Sequence, residues 1–454
     1  MTEANTLSTP PQFRIARSPR ATKWQFCWLC GLILSFAYER SFIYVSSLDR
    51  MNPRLFDIMV LVGMVAILPH MRRNSPLPSV FRLWTAIVAV FCFCALVWAV
   101  GILPWEYGKY SLYFAAVYVE GLIGIYIAIS IPLDQRQKRI IHYLTVAGGV
   151  FVAVYCIPEY LAGGASVVLA SGEELDFGKG AFIGPLGYGY YHLAMFSGMS
   201  CILALALVPQ LKSKLQKALM GAIAAFVAWP AFFCGSRTGL LYTGVGVGAL
   251  ILLSRQTRRW TLPFAVVAAL AISVVVPNVF ERVFSESTTF NRLEGFEGSD
   301  NGMKARMLKF SDFTLQEYMW HGALVPFIGA GFYVAPTFQS GTPSYRVGYG
   351  YHNAYLFAFE QGGVAAFVLL IAFLISCWRY LARARRLFTG PGEFFVNALM
   401  AVFVATLVVA MVGHGFWFGS TMHFSFYLLT LYLIAGNIPP NDAMCSRNIK
   451  VGHI

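Results

Sequence analysis

Runs of about 20 apolar residues, the length needed to cross the hydrocarbon core of a bilayer, recur along nearly the whole chain. No other feature limits the fold as much. In lipid every backbone N–H and C=O must be satisfied within the chain, so only helices and closed barrels span it, and runs this long belong to helices. Composition agrees: 57% of the residues are hydrophobic and 12% are charged, against about 25% charged in soluble domains. The sequence predicts an all-α polytopic membrane protein. We read twelve spans, at 26–46, 56–70, 82–102, 110–131, 142–162, 189–209, 218–234, 238–253, 260–277, 354–377, 394–413 and 423–437. Those at 56–70 and 238–253 are short, as tilted or re-entrant segments are. Glu39 and Arg40 lie near the outer end of the first span and argue for an earlier stop.

Along the chain this gives a basic tail at 1–25, nine spans within 26–277, a long loop at 278–353, three spans within 354–437 and a second tail at 438–454. The basic residues orient it. Arg14, Arg17, Arg20 and Lys23 form the first group, and Arg72, Arg73 and Arg82 the second. Arg136, Lys138 and Arg139 follow, then Lys212, Lys214 and Lys217, then Arg255, Arg258 and Arg259. Arg379, Arg383, Arg385 and Arg386, and finally Arg447 and Lys450, complete the series, and every group falls in an alternate loop. The short loops of the other side hold only Arg40, Arg50, Arg54, Lys109 and Arg237. Cations are retained on the cytoplasmic side, so both termini are expected there. The formal net charge of +13 then reflects topology, and no nucleic-acid partner is called for. The start is polar and basic, with no small-residue cleavage site after the first apolar run, so the first span is expected to act as an uncleaved signal-anchor.

Cys27 and Cys30 form a CxxC, and Cys92 and Cys94 a CxC. All four lie within apolar spans, whereas zinc or redox use would require polar neighbours; buried structural cysteines are expected. Two of the external loops are long. Residues 163–188 are Gly-rich and carry Glu173, Glu174, Asp176 and Lys179. The loop at 278–353 far exceeds ordinary connections, and such loops in compact proteins are functional or disordered. Its stretch "SDFTLQEYMWHGALV" has the spacing of an amphipathic surface helix, and "IGAGFYVAP" turns on glycines.

Three features on the predicted external side carry chemistry. In "CGSRTGLL", Arg237 sits in a tight turn framed by Gly235, Ser236, Thr238 and Gly239. Small side chains and backbone donors are the ingredients of a phosphate cradle, and a guanidinium fork suits a diphosphate; the alternative is an arginine snorkelling from a helix end. In "KARMLKF", Lys304, Arg306 and Lys309 would be neighbours on a helix, or simply a solvated face. In "GYHNAYLFAFEQGG", His352 and Asn353 stand where the long loop re-enters the membrane. Histidine is the natural general base near neutral pH, while Asn353 is also a plausible N-cap. Glu360, eight residues after His352, is a carboxylate inside an apolar run, a position that is by default functional or ion-paired. Glu120 in the fourth span raises the same question. A pairing of Arg237 with Glu360 would satisfy both.

The motifs "GSRTG", "PFIGAGF" and "HNAYLFAFEQGGVAAF", with an arginine in the long loop between the first two, resemble in order and spacing the bacterial O-antigen ligase and polysaccharide polymerase superfamily. The resemblance covers roughly residues 180–430. The chain departs from the pattern at Ala365, where a second glycine is common, and at Phe310, where a tryptophan is usual and Trp320 follows later. The resemblance implies a GT-C-like bundle with an external cavity roofed by the long loop. It implies transfer of a glycan from an undecaprenyl-diphosphate carrier to a sugar hydroxyl, without nucleotide, cofactor or bound metal. His352 would be the catalytic base; Arg237 and Arg306 would hold the diphosphate in place of a metal; Asn353 and Glu360 would complete the substrate site, Glu360 orienting an arginine or the histidine. The acceptor would be either the next lipid-linked repeat, in a polymerase of the inner membrane, or lipid A-core, in a ligase. From other classes, a transporter or flippase and a structural partner in a polysaccharide export complex remain as readings.

Overall fold

The computed structural model describes residues 21–38, 53–71, 77–101, 105–162, 184–186, 190–234, 236–260, 353–388, 391–411 and 422–437, with four short strands, Phe327 and Gly329. Helices dominate. In chain order they are α1 (Lys23–Ser35), α2 (Leu55–Ala66), α3 (Ser79–Gly101), α4 (Trp105–Ser130), α5 (Gln135–Leu161), α6 (Tyr190–Leu207), α7 (Lys214–Phe233), α8 (Arg237–Leu253), α9 (Ala354–Leu387), α10 (Pro391–Ala410) and α11 (Met422–Gly436). Among the described residues seven stretches are long and apolar enough to cross a membrane, and three shorter apolar helices, Leu55–His70, Thr238–Leu253 and Phe424–Gly436, stand among them. The chain is a multi-pass, all-α membrane-type bundle. Its described β-structure consists of two ribbons outside the bundle: β1 (Ser166–Val168) pairs antiparallel with β2 (Glu174–Asp176), and β3 (Val334–Gln339) with β4 (Thr342–Val347).

The helix ends follow from local chemistry. Thr22, Asp134 and Ser213 each accept from the backbone N–H three residues on, while a glutamine at that third position reaches back; this reciprocal capping satisfies donors that a helix start leaves open. The helices run further than hydropathy marked, which corrects the reading of these basic groups as loop residues. Arg136, Lys138 and Arg139 lie on α5, Lys214 and Lys217 on α7, and Arg379, Arg383, Arg385 and Arg386 on α9. Hydropathy marks the apolar length, but a capped helix continues past it. The first span ends at Ser35, as its flanking charges suggested. Of the four paired cysteines only Cys94 is buried; Cys27 is exposed and Cys30 and Cys92 are half-buried, which corrects the expectation that all four are core residues. The apolar surround of a membrane bundle makes exposure of a thiol cheap.

The interior is organised around α6. In its most apolar window 94% of residues are buried within the protein, against 33% for the long Gln361–Leu387 segment of α9. It packs on α5, α7, α8 and α10. Close approach of small residues drives helix association where lipid removes the hydrophobic effect. A Cβ at Gly239 of α8 would overlap that of Ala194 of α6, so the two backbones meet there. On the other side, α2 packs on α1 and α4; Trp28 donates through Nε1 to the Met59 carbonyl at 2.8 Å. An aromatic chain joins the two sides. Phe196 of α6 stacks on Tyr427 of α11 (5.7 Å), Tyr427 on Phe36 (4.7 Å), and Phe36 packs on Phe56 of α2 (4.9 Å).

The two ends of the bundle are chemically different. At one end Lys138 donates to the Asn437 carbonyl and Arg385 donates to that of Leu253 at 2.8 Å, closing the C-terminal ends of α11 and α8. The basic groups on α5, α7 and α9 gather there. At the other end lie the starts of α6, α8 and α9 and the finish of α10, joined by the Gly239–Ala194 contact and by a bond from Asn353 Nδ2 to the Met411 carbonyl at 3.2 Å.

Candidate functional site

The starts of α8 and α9 bring the sequence motifs to this second end. Ser236 caps α8: its Oγ accepts from the Gly239 N–H at 3.2 Å, and Thr243 Oγ1 donates to the Gly239 carbonyl at 2.8 Å. The "GSRTG" turn is thus wound directly into a helix, with Arg237 as the first helical residue. The turn does not leave all its donors open, since the Gly239 amide is taken by Ser236. What remains is a helix N-terminus, where orphan N–H groups and the dipole favour an anion.

Both ends of the Asn353 amide are engaged by the fold. Its Oδ1 accepts from the N–H groups of Tyr355 (3.0 Å) and Leu356 (3.2 Å), and its Nδ2 donates to the Met411 carbonyl. It caps α9 and ties it to the finish of α10, and Tyr355 Oη reinforces the tie through the Leu407 carbonyl at 3.3 Å. The single span read at 354–377 is interrupted: Gly362 has φ −136°, ψ 17° and Gly363 has φ 64°, ψ −163°. The second conformation is essentially restricted to glycine. The "EQGG" motif is therefore a break that divides α9 into a short outer segment and a long inner one. Breaks at membrane depth occur where backbone lines a cavity or is buried in protein; here a Cβ on Gly362 would press on Ala366 (2.6 Å) and the Phe91 ring (3.0 Å). Glu360 lies in the turn just before the break, and its side chain is outside the described residues.

The hairpin β3–β4 belongs to the long loop and packs on α4. Within "IGAGFYVAP", Gly329 adopts φ 71°, the left-handed turn expected of it, and the sequence then extends into β3. Arg306, His352 and the amphipathic stretch 311–325 lie outside the described residues, as does the Arg237 side chain, so the structure places the backbones of Arg237, Asn353 and Glu360 and no distance among the five predicted side chains. Among the described residues no group of three His, Cys, Asp or Glu side chains could hold a metal ion.

Glu120 has a partner that the sequence did not suggest. It lies within electrostatic reach of Asp57 on α2, and Arg54, the residue before α2, lies within reach of both. The Arg54 N–H donates to Asp57 Oδ2 at 2.7 Å. Signals were present: Arg54 is one of the few cations of the loops predicted to be short and external, Asp57 lies three residues on, and the span that follows is too short to cross a bilayer alone. The chain matches no family model and no curated protein.

Proposed function

We propose that the chain is a glycosyltransferase of the bacterial inner membrane, acting at the periplasmic face. It has the twelve-span, GT-C-like architecture expected of such an enzyme, with the 278–353 loop over the site. It moves a glycan from undecaprenyl diphosphate to a sugar hydroxyl, with the next lipid-linked repeat as acceptor (a polymerase) and lipid A-core as the alternative acceptor (a ligase). The observation that carries this reading is the convergence of "GSRTG", at the start of α8, and "HNAYLFAFEQGG", at the start of α9, on the end of the bundle opposite the basic one. In the proposed reaction His352 takes the proton of the acceptor hydroxyl, whose oxygen attacks the anomeric carbon. The bond to the carrier breaks with its electron pair on the diphosphate. Arg237 and Arg306 stabilise that developing charge, as fixed cations do at a leaving group.

The test uses purified protein, a defined undecaprenyl-diphosphate saccharide and product length on a gel. A ladder of lengthening chains identifies the polymerase; transfer seen only on adding lipid A-core identifies the ligase. Arg237→Ala is expected to abolish transfer at normal protein levels and Arg237→Lys to restore part of it, because lysine lacks the fork. Full activity in Arg237→Ala would leave only a snorkelling arginine.

One observation favours a second reading. A broken helix and charged side chains between apolar helices are features of transporters, and this chain has both at Gly362–Gly363 and at Asp57–Glu120. Movement of lipid-linked saccharide across proteoliposomes, with no glycosidic bond formed, would establish transport instead.

A further inference from the structure

The start of α7 and the chain that follows α8 meet at the basic end. α7 opens with Lys214 and Lys217, just after Lys212. α8 finishes at Leu253; the chain turns at Ser254 and is helical again over 255–260. That turn is fixed to the bundle. Ser254 and Thr257 are buried, Ser254 Oγ accepts from the Thr257 N–H at 3.2 Å, and the Arg258 N–H donates to the Ser254 carbonyl at 2.9 Å. With Thr257 inward, Arg255, Arg258 and Arg259, spaced as neighbours on one helix face, are all exposed. α7 and α8 are in contact, and Lys217 Nζ stands 4.0 Å from the centre of the Trp260 ring, a cation–π contact.

Charge retained only to orient a membrane chain needs no partner but water. Three observations ask for more. No Asp or Glu occurs between Asp176 and Glu281, so neither helix nor the chain beside it supplies a counter-charge. Among the described residues the side chains of Lys212, Lys214, Arg255, Arg258 and Arg259 make no hydrogen bond or ion pair, whereas Lys138 and Arg385 finish helices. The cations also border apolar surface. Leu215 and Leu219, one turn apart on α7, are 78% and 60% exposed, Leu252 of α8 is 82% exposed, and Trp260 is 40% exposed. Cations beside exposed leucines and a tryptophan fit a molecule with an anionic head and hydrocarbon tails. An acidic protein segment would meet the cations but not the leucines, which in a membrane-type bundle face acyl chains.

We propose that the basic end of α7 and α8 is a binding surface for an anionic phospholipid. Lys217, Arg258 and Arg259 hold its phosphate, the guanidinium forks giving paired donors to the phosphate oxygens. Trp260, with Lys217 over its ring, stands at the level of the headgroup, and Leu215, Leu219 and Leu252 lie along the acyl chains. This surface is at the opposite end of the bundle from the starts of α8 and α9 and does not depend on the proposed transferase activity.

The probes are phosphatidylglycerol and phosphatidylcholine with brominated acyl chains, added to the purified, delipidated full-length chain in dodecylmaltoside micelles; bromine quenches the fluorescence of a nearby tryptophan. The wild type should be quenched more by phosphatidylglycerol, and Trp260→Phe should remove that excess. The triple variant Lys217→Gln, Arg258→Gln, Arg259→Gln should bind phosphatidylglycerol about 100-fold more weakly, at ~1 kcal/mol for each cation near an anionic surface and tenfold for each ~1.4 kcal/mol. A second triple variant, Arg379→Gln, Arg383→Gln, Arg386→Gln, removes as much charge from exposed positions of α9 and should keep the excess. Should the first triple variant not fold, the wild type and Trp260→Phe still decide. Equal quenching of the wild type by the two lipids, an excess that survives in Trp260→Phe, or an equal loss in the α9 variant would overturn the proposal. So would full displacement of phosphatidylglycerol by an equal concentration of glycerol phosphate, which would assign a free phosphate, or of polyglutamate, which would assign an acidic protein segment.

Discussion

The two ends of the bundle use charge in opposite ways. At the basic end cations finish helices: Lys138 is 3% exposed, donates to the Asn437 carbonyl and lies 4.8 Å from the Phe388 ring centre, and Arg385 closes α8 at Leu253. Open carbonyls at a helix C-terminus attract positive charge, so these side chains are structural. At the other end helices begin, and their caps are the neutral groups Ser236 and Asn353. There Ser236 and Asn353 satisfy backbone donors without a charge, and helix N-termini of this kind favour an anion. The same residue type thus has two meanings in one protein. An arginine at the basic end is read first as a staple, and one at the start of α8 as a ligand for an anion.

Substitutions at the two ends should therefore separate activity from stability. The largest effect is expected at His352. His352→Ala should lower turnover about 100-fold or more, the usual worth of a general base, with unchanged melting temperature and unchanged binding of the lipid-linked donor. Equal turnover for His352→Ala and wild type would remove the base and leave the second end with no chemical distinction. Lys138→Met should do the reverse. It removes a charged hydrogen bond and leaves the Asn437 carbonyl open, at a cost of about 1.5–3 kcal/mol, read as a lower melting temperature in a fixed detergent; specific activity of the folded fraction should not change. A loss of activity without a loss of stability would mean that the basic end is coupled to the site.

Between these lies the break in α9. Gly363→Ala should cost about 1–3 kcal/mol, because φ 64°, ψ −163° belongs to a region that a side chain disfavours. If the break shapes the site, donor binding should weaken in the same variant. Unchanged stability and binding would mean that α9 runs straight through this position.

The helices were largely legible because hydrophobic length is local information: each of α1–α11 overlaps a span read from the sequence. Their ends were less so, since Asp134 and Ser213 extend α5 and α7 into basic stretches that hydropathy assigns to loops. The glycines of "EQGG" were visible, but a broken helix was not, for two consecutive glycines are also tolerated in a continuous helix whose neighbours press close. The approach of Asp57 to Glu120 was only half legible: the short span and its acid were visible, but which face of α2 meets α4 is a tertiary fact fixed by Trp28, Met59 and the packing around Phe56. Of the candidate site, the sequence supplied residue types and order; the structure adds that α8 and α9 begin at the same end, and that Asn353 is engaged by backbone.

That engagement makes Asn353 the mildest and most discriminating test of the comparison. The amide does two jobs, and substitutions can part them. Asn353→Asp keeps the cap, since a carboxylate accepts from the Tyr355 and Leu356 N–H groups and favours a helix N-terminus, but it loses the donor to Met411. Asn353→Ala loses both. If the residue is purely a cap, Asn353→Ala should cost about 1 kcal/mol and Asn353→Asp less, with specific activity retained in each. If the second end holds an anionic ligand, Asn353→Asp should behave differently: stability near that of wild type, but weaker binding of the diphosphate-linked donor, because a new negative charge stands beside the N-termini that attract it. Donor affinity measured for the two variants in one lipid composition decides. Asn353→Asp binding as tightly as Asn353→Ala would mean that no anion sits near the start of α9, and the contrast between the two ends would reduce to helix capping alone.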